Sequence, residues 1–210
     1  MNRSKESLVP LTGAAFIVVG ISGFMIGGEP TSADNPAREV VDCYVDNKSS
    51  VQISSILAAV AGLLLIFFGS YLRKVLHEAA GEGEILSLVS FIGLVLVAFG
   101  FAIDATIAFA IAEAAEDVDP IAVQALQALW DNDFIPIMLG VLAFLWATGI
   151  AIIRSGVFPQ WIGWVMIVLG IIGVTPVGFI SAIAAAILVL VLSIMLSLRA
   201  RAVPAAPPAA

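Results

Sequence analysis

Residues Ile85 to Ala112 read ILSLVSFIGLVLVAFGFAIDATIAFAIA, an apolar run in which Asp104 is the one ionisable side chain. As a helix rising 1.5 Å per residue it would extend about 42 Å, against a hydrocarbon layer of about 30 Å. Such a run confines the chain to membrane architectures and demands either a steep tilt or projection beyond the lipid. Five further apolar runs accompany it, at 8–26, 51–72, 134–153, 161–174 and 177–198. With 61% hydrophobic and 12% charged residues, the chain reads as a single all-α polytopic domain over 1–202, a six-transmembrane-helix bundle. The remaining 203–210, VPAAPPAA, is low in complexity and is expected to be disordered.

The first run suits a spanning helix better than the shorter core of a cleavable leader, although the T-S-A at Thr31 to Ala33 keeps cleavage open as a second reading. Asp42 before Cys43 argues against a lipoprotein box. Gly27 to Ser50 is expected to be a polar loop, with Pro30, Pro36 and five acids. Asp119 followed by Pro120 predicts a helix start, the carboxylate capping and the proline in the first turn. Ile121, Ala125, Leu126, Leu129 and Trp130 would give that short helix an apolar side, with Gln124 and Gln127 polar, so it is expected to lie at the outer interface. Trp161 and Trp164 mark headgroup depth at the start of the fifth run.

Six spans place both termini on one side. Seven of the nine basic residues fall there, namely Arg3, Lys5, Arg73, Lys74, Arg154, Arg199 and Arg201, and only Arg38 and Lys48 fall opposite. Basic residues stay cytoplasmic, so both termini are expected inside. Eleven of the sixteen acids lie in the two large outer loops and four lie inside, leaving Asp104 within the third span. The outer face then carries a charge near −9 and the inner near +3, a field that gathers cations outside or simply keeps the loops soluble.

Small residues recur seven apart, as in Gly13, Gly20 and Gly27, in Ser55, Gly62 and Gly69, in Gly93 and Gly100, and in Gly140 and Ala147. Lipid tails are as apolar as leucine, so helices in membranes associate by close backbone packing, which small residues permit. A period near 3.5 keeps this seam facing its neighbours in a left-handed bundle. At 100° per residue, Asp104 shares the face of Gly93 and Gly100 and should point into the bundle, near the outer boundary. Ser22, Gln52, Ser55, Thr175 and Ser181 occupy the outer parts of their spans and are candidate hydrogen-bond partners. A lone carboxylate in a span is costly and points to function, although a structural hydrogen-bonded acid is the competing reading.

Other chemistry finds little support. The single Cys43 excludes an intrachain disulfide, and the single His77 excludes a haem held by two histidines of one chain. No Cys/His cluster has metal spacing, so no metal or cofactor is expected. Gly20, Ile21, Ser22 and Gly23 match the G-x-S-G of intramembrane serine proteases, but His77 lies at the opposite end of its span from Ser22. Gly81 to Glu84 has neither the lysine nor the length of a phosphate-binding loop. Asn47, Lys48 and Ser49 form a glycosylation sequon, meaningful only in a eukaryote. Nothing suggests a nucleic-acid surface.

Three stretches, CYVDNK at Cys43 to Lys48, FFGSYLRKVL at Phe67 to Leu76 and GVFPQWIGW at Gly156 to Trp164, resemble small six-span bacterial membrane proteins of unknown function, frequent in actinobacteria. The resemblance implies a multi-pass protein of the bacterial plasma membrane and carries no activity or catalytic residue with it. The expectation is a non-enzymatic protein that binds a small apolar or cationic ligand, or a protein partner or second copy, at its outer side. Asp104 would anchor the site, with Gln52 and Asp133 contributing. A proton- or cation-coupled carrier using Asp104 is the alternative, and a membrane-embedded hydrolase a weaker one.

Overall fold

Long helices connected by short turns make up the structure, a computed structural model that describes residues 8–28, 31–80 and 85–202. A 3-10 turn, Val9–Leu11, leads into α1 (Thr12–Gly27). There follow α2 (Ala37–Asp46), α3 (Lys48–Ala80), α4 (Ile85–Ala114), α5 (Pro120–Trp130), α6 (Ile135–Ser155), α7 (Gln160–Gly173) and α8 (Phe179–Ala202). No strand occurs among the described residues. The expected disordered tail, the segment carrying Arg3 and Lys5, and the Gly81 to Glu84 connection lie outside the described residues.

Among the described residues, five helical stretches are long and apolar enough to cross a membrane, namely Val9–Gly27, Lys48–Ala79, Ile85–Ala114, Pro120–Ser155 and Phe179–Ala200. The sixth apolar helix, α7, has 14 residues and a length of about 21 Å. The architecture is that of a helical membrane bundle. Helix boundaries follow local chemistry. Asp119 Oδ1 accepts a hydrogen bond from Ile121 N at 2.8 Å, with Pro120 opening α5. Gly156 ends α6 at φ 65°, the left-handed conformation that a side chain disfavours.

The loop expected over Gly27 to Ser50 departs most from the sequence reading, because it contains α2 and the first turn of α3. Val40 and Tyr44, one helical turn apart, are buried against Ile111, Ala112, Ala115 and Val123. Acids along the segment hide this pair in a composition reading, yet the i, i+4 spacing supplies one apolar stripe. The result is a two-helix cap of α2 and α5, with its own small core, over one end of the bundle. The cap is tied down by polar side chains. Tyr44 Oη donates to Gln127 Oε1 at 2.6 Å, and Gln127 Nε2 donates to Thr31 O and Asp131 Oδ1. Gln124 Nε2 donates to Ala33 O and Asn35 O.

These bonds alter the expected orientation of α5. Its glutamines face inward, Gln127 being fully buried, while Ile121 and Leu129 are exposed. The segment 31–35 is neither helix nor strand, and its half-buried carbonyls of Thr31, Ala33 and Asn35 take their hydrogen bonds from these two glutamines, which draws that side of α5 inward.

Backbone contacts hold the bundle together. A Cβ built on Gly93 would lie 2.6 Å from Phe144 N, and one built on Gly140 would lie 2.5 Å from Gly93 O, so α4 and α6 touch main chain to main chain. Ser90 and Thr148 join the same pair through hydroxyls 2.6 Å apart. Gly149 and Gly163 bring α6 and α7 equally close. At the terminal end, Ser193 Oγ of α8 donates to Pro10 O at 2.6 Å and accepts from Ala14 N at 3.0 Å. Gly20 breaks the seam: a Cβ there would meet nothing within 4 Å.

Candidate functional site

Helices α1 and α8 meet at Ser193 and part above it, and the space between them becomes a cavity beneath the cap. This cavity has two lobes. One, of about 500 Å³, lies within the bundle between Phe16 and Gly20 of α1 and Ile187 and Leu190 of α8, with Ala61 and Phe101 also on its wall. The other, of about 340 Å³, lies under the cap and presents Thr31, Cys43, Tyr44, Asn47 and Ser55. Phe24, Ser54, Ala58, Asp104 and Trp130 line both lobes and form their junction. The bundle lobe is walled almost wholly by hydrocarbon, whereas the cap lobe offers hydroxyl, amide, phenol and thiol groups.

Asp104 lies on the glycine face of α4, one turn beyond Gly100, whose Cβ position is filled by Ile137 of α6. One turn further on, Asp104 lies beyond the level of Ile137 and lines both lobes with Trp130 of α5, Phe24 of α1 and Ser54 and Ala58 of α3. The acid therefore lines a void where its face would otherwise be packed. No hydrogen bond reaches its carboxylate among the described residues, and Asp133 is near enough to act on it as a like charge. None of the described residues lining either lobe is basic.

The other expected residues separate. Asp133 sits in the turn between α5 and α6, outside both lobes, with its Oδ2 buried and lacking a hydrogen-bond partner. Gln52 is turned away, its Nε2 donating to Glu113 Oε2 at 2.6 Å. Glu113 lies nine residues beyond Asp104, half a turn round α4, so a side chain that reaches one cannot reach the other. Of the candidate partners of Asp104, only Ser55 shares its cavity. Ser22 donates to Val18 O, Thr175 to Ile172 O and Ser181 to Leu169 O.

Trp130, Phe24 and Tyr44 were not singled out for the site by the sequence. The signal was weak, since Trp130 reads as one more apolar residue of an interfacial helix until α5 is seen folding over the bundle. Burial pushes the Tyr44 phenol well above its ordinary range, aided by the charges of Cys43, Asp131 and Asp104, so it acts as a hydrogen-bond donor. Ser22 and His77 stand far apart: Gly23 abuts Leu57, and His77 lies 20 residues further along α3, about 30 Å by helical rise.

Among the described residues no group of three or more His, Cys, Asp or Glu could hold a metal ion. Comparisons with protein-family models, with curated proteins and with solved structures returned no match to this chain.

Proposed function

We propose that this chain is a non-enzymatic binding protein of the bacterial plasma membrane that takes up a small organic cation at its outer, capped end. The observation that carries the reading is Asp104, a carboxylate that among the described residues has neither a hydrogen bond nor a basic residue beside it in the lining, in a cavity that Trp130 also lines. An ionised carboxylate so placed is stabilised by a cation that brings its own charge, and an aromatic face adds attraction for the same ligand. Six crossings with both termini cytoplasmic agree with the basic residues at the terminal end and with Ser193 beside Pro10. The resemblance to small six-span bacterial proteins supports the compartment.

The test is thermal unfolding of the purified protein in lipid nanodiscs with a panel of organic cations, tetramethylammonium among them. The cations should raise the midpoint for the native chain and leave Asp104→Asn unmoved. A native chain indifferent to all of them would overturn the reading. Flux of protons or cations into proteoliposomes, lost in Asp104→Asn, would instead establish a carrier.

A further inference from the structure

The two lobes differ in chemistry yet share a wall, and that pairing says more about the ligand than the carboxylate does alone. We infer that the cavity holds one cationic amphiphile, its positively charged head at Asp104 and Trp130 under the cap and its hydrocarbon tail in the bundle lobe, taken up sideways from the lipid through the gap between α1 and α8. The inference rests on the reading of Asp104 as a cation anchor and adds the tail and the route.

Three features support it. First, Phe24, Ser54, Ala58, Asp104 and Trp130 line both lobes, so the hydroxyl- and amide-bearing space and the hydrocarbon-walled one adjoin at the carboxylate that would hold the head. Each lobe is of the size that encloses a small organic group. Second, the bundle lobe contains no polar anchor away from the junction: Phe16, Phe101, Ile187 and Leu190 can hold only apolar substance, and a small hydrated cation would leave it empty. Third, the lobe lies between two helices whose outward residues face lipid. Val18 and Met25 on α1 and Ile180 on α8 are exposed outside the lobe, Ile21 and Ile183 are exposed at its rim, and Gly20 at the gap carries no side chain to close it. A ligand dissolved in the membrane reaches the gap without leaving hydrocarbon, whereas a ligand from water must pass beneath the cap. The one carboxylate at the junction, with no basic residue among the described residues lining either lobe, selects a positive head over an anionic or zwitterionic one.

Cys43 lines the cap lobe and gives a readout. The full-length protein in nanodiscs would be alkylated at Cys43 with N-ethylmaleimide in the presence of dodecyltrimethylammonium, tetramethylammonium or dodecyl sulfate. Dodecyltrimethylammonium should slow alkylation about tenfold at concentrations where tetramethylammonium barely acts, and dodecyl sulfate should leave the rate unchanged. Asp104→Asn should remove the protection. Gly20→Leu, which fills open space and should keep the native unfolding midpoint, should remove most of it by narrowing the gap. Equal protection by tetramethylammonium, unaffected by Gly20→Leu, would overturn the amphiphile and the lateral route while sparing the cation site. Equal protection by dodecyl sulfate would show that charge plays no part, and no protection by any probe would remove both readings.

Discussion

Tyr44 Oη donates a 2.6 Å hydrogen bond to Gln127 Oε1, joining two helices of the cap across 83 residues of chain. The bond is buried, and Gln127 uses its amide nitrogen to hold Thr31 and Asp131 at the same time. The roof of the cavity therefore depends on one phenol. Tyr44→Phe should lower stability by about 1–2 kcal/mol, because it leaves a buried amide oxygen without a donor. Thermal unfolding in nanodiscs measures this, and an unchanged midpoint would show that the bond contributes nothing to the cap.

The same phenol predicts a dependence on alkaline pH. Burial raises its folded pKa above the ordinary value of 10.0. The unfolded chain then loses the proton first, so the folded state binds more protons and stability falls as pH rises past about 10. Below that value the group contributes no slope. The native chain should lose stability between pH 10 and 11 more steeply than Tyr44→Phe, and parallel curves would refute the assignment.

Gly93 and Gly140 set the distance between α4 and α6. Gly93→Leu has to displace main-chain atoms of Phe144 and Gly140, so a loss of about 3 kcal/mol or a failure to fold is expected. Gly20→Ala, facing open space, should change stability by less than about 0.5 kcal/mol. Unfolding midpoints of the two variants, compared side by side, decide whether the seam or its interruption has been read correctly.

Ser193 closes the terminal end of the gap. Ser193→Ala leaves Pro10 O without its donor and Ala14 N without its acceptor, and should cost about 1–2 kcal/mol. Cysteine in its place restores only a weak donor and should recover a fraction of the loss. Identical midpoints for the native chain and Ser193→Ala would mean that α1 and α8 are held together elsewhere.

Orientation can be checked with the only cysteine. Cys43 is half-buried in the cap, on the end proposed to face outward. An impermeant maleimide should label it on intact cells, and labelling that appears only after the cells are opened would invert the topology.

The bundle was legible because its signal is long and repetitive. The apolar runs, with Asp119, Gly156 and Pro159 as stops and starts, place most helix ends to within a few residues, whereas α3 continues eight residues past the expected end at Leu72, to Ala80. The cap was not legible. Val40 and Tyr44 bury only two positions of a segment full of acids, and Gln124 and Gln127 look like solvent-facing residues until the carbonyls of Thr31, Ala33 and Asn35 are placed beside them. Asp104, which lines both lobes, was singled out from its cost in lipid and from helical phase. Its neighbours were not, because Gln52 and Trp130 reach their positions through tertiary packing that periodicity does not encode. Gln52 bonds to Glu113, and Trp130 lines both lobes together with Asp104.

One dimension of the fold bears on the bilayer itself. Helix α7 is about 21 Å long, roughly 9 Å shorter than the hydrocarbon layer it would have to cross. The turn from Val174 to Gly178, with exposed Val174, Val177 and Phe179 around it, would then sit below the headgroups unless the leaflet dips to meet it. Thinning on that flank costs fractions of a kcal/mol per ångström, so the protein should partition toward short-chain lipids and away from thick, ordered patches. Such a dimple would form beside α8, bringing headgroups down to the level of the opening through which an amphiphile would pass.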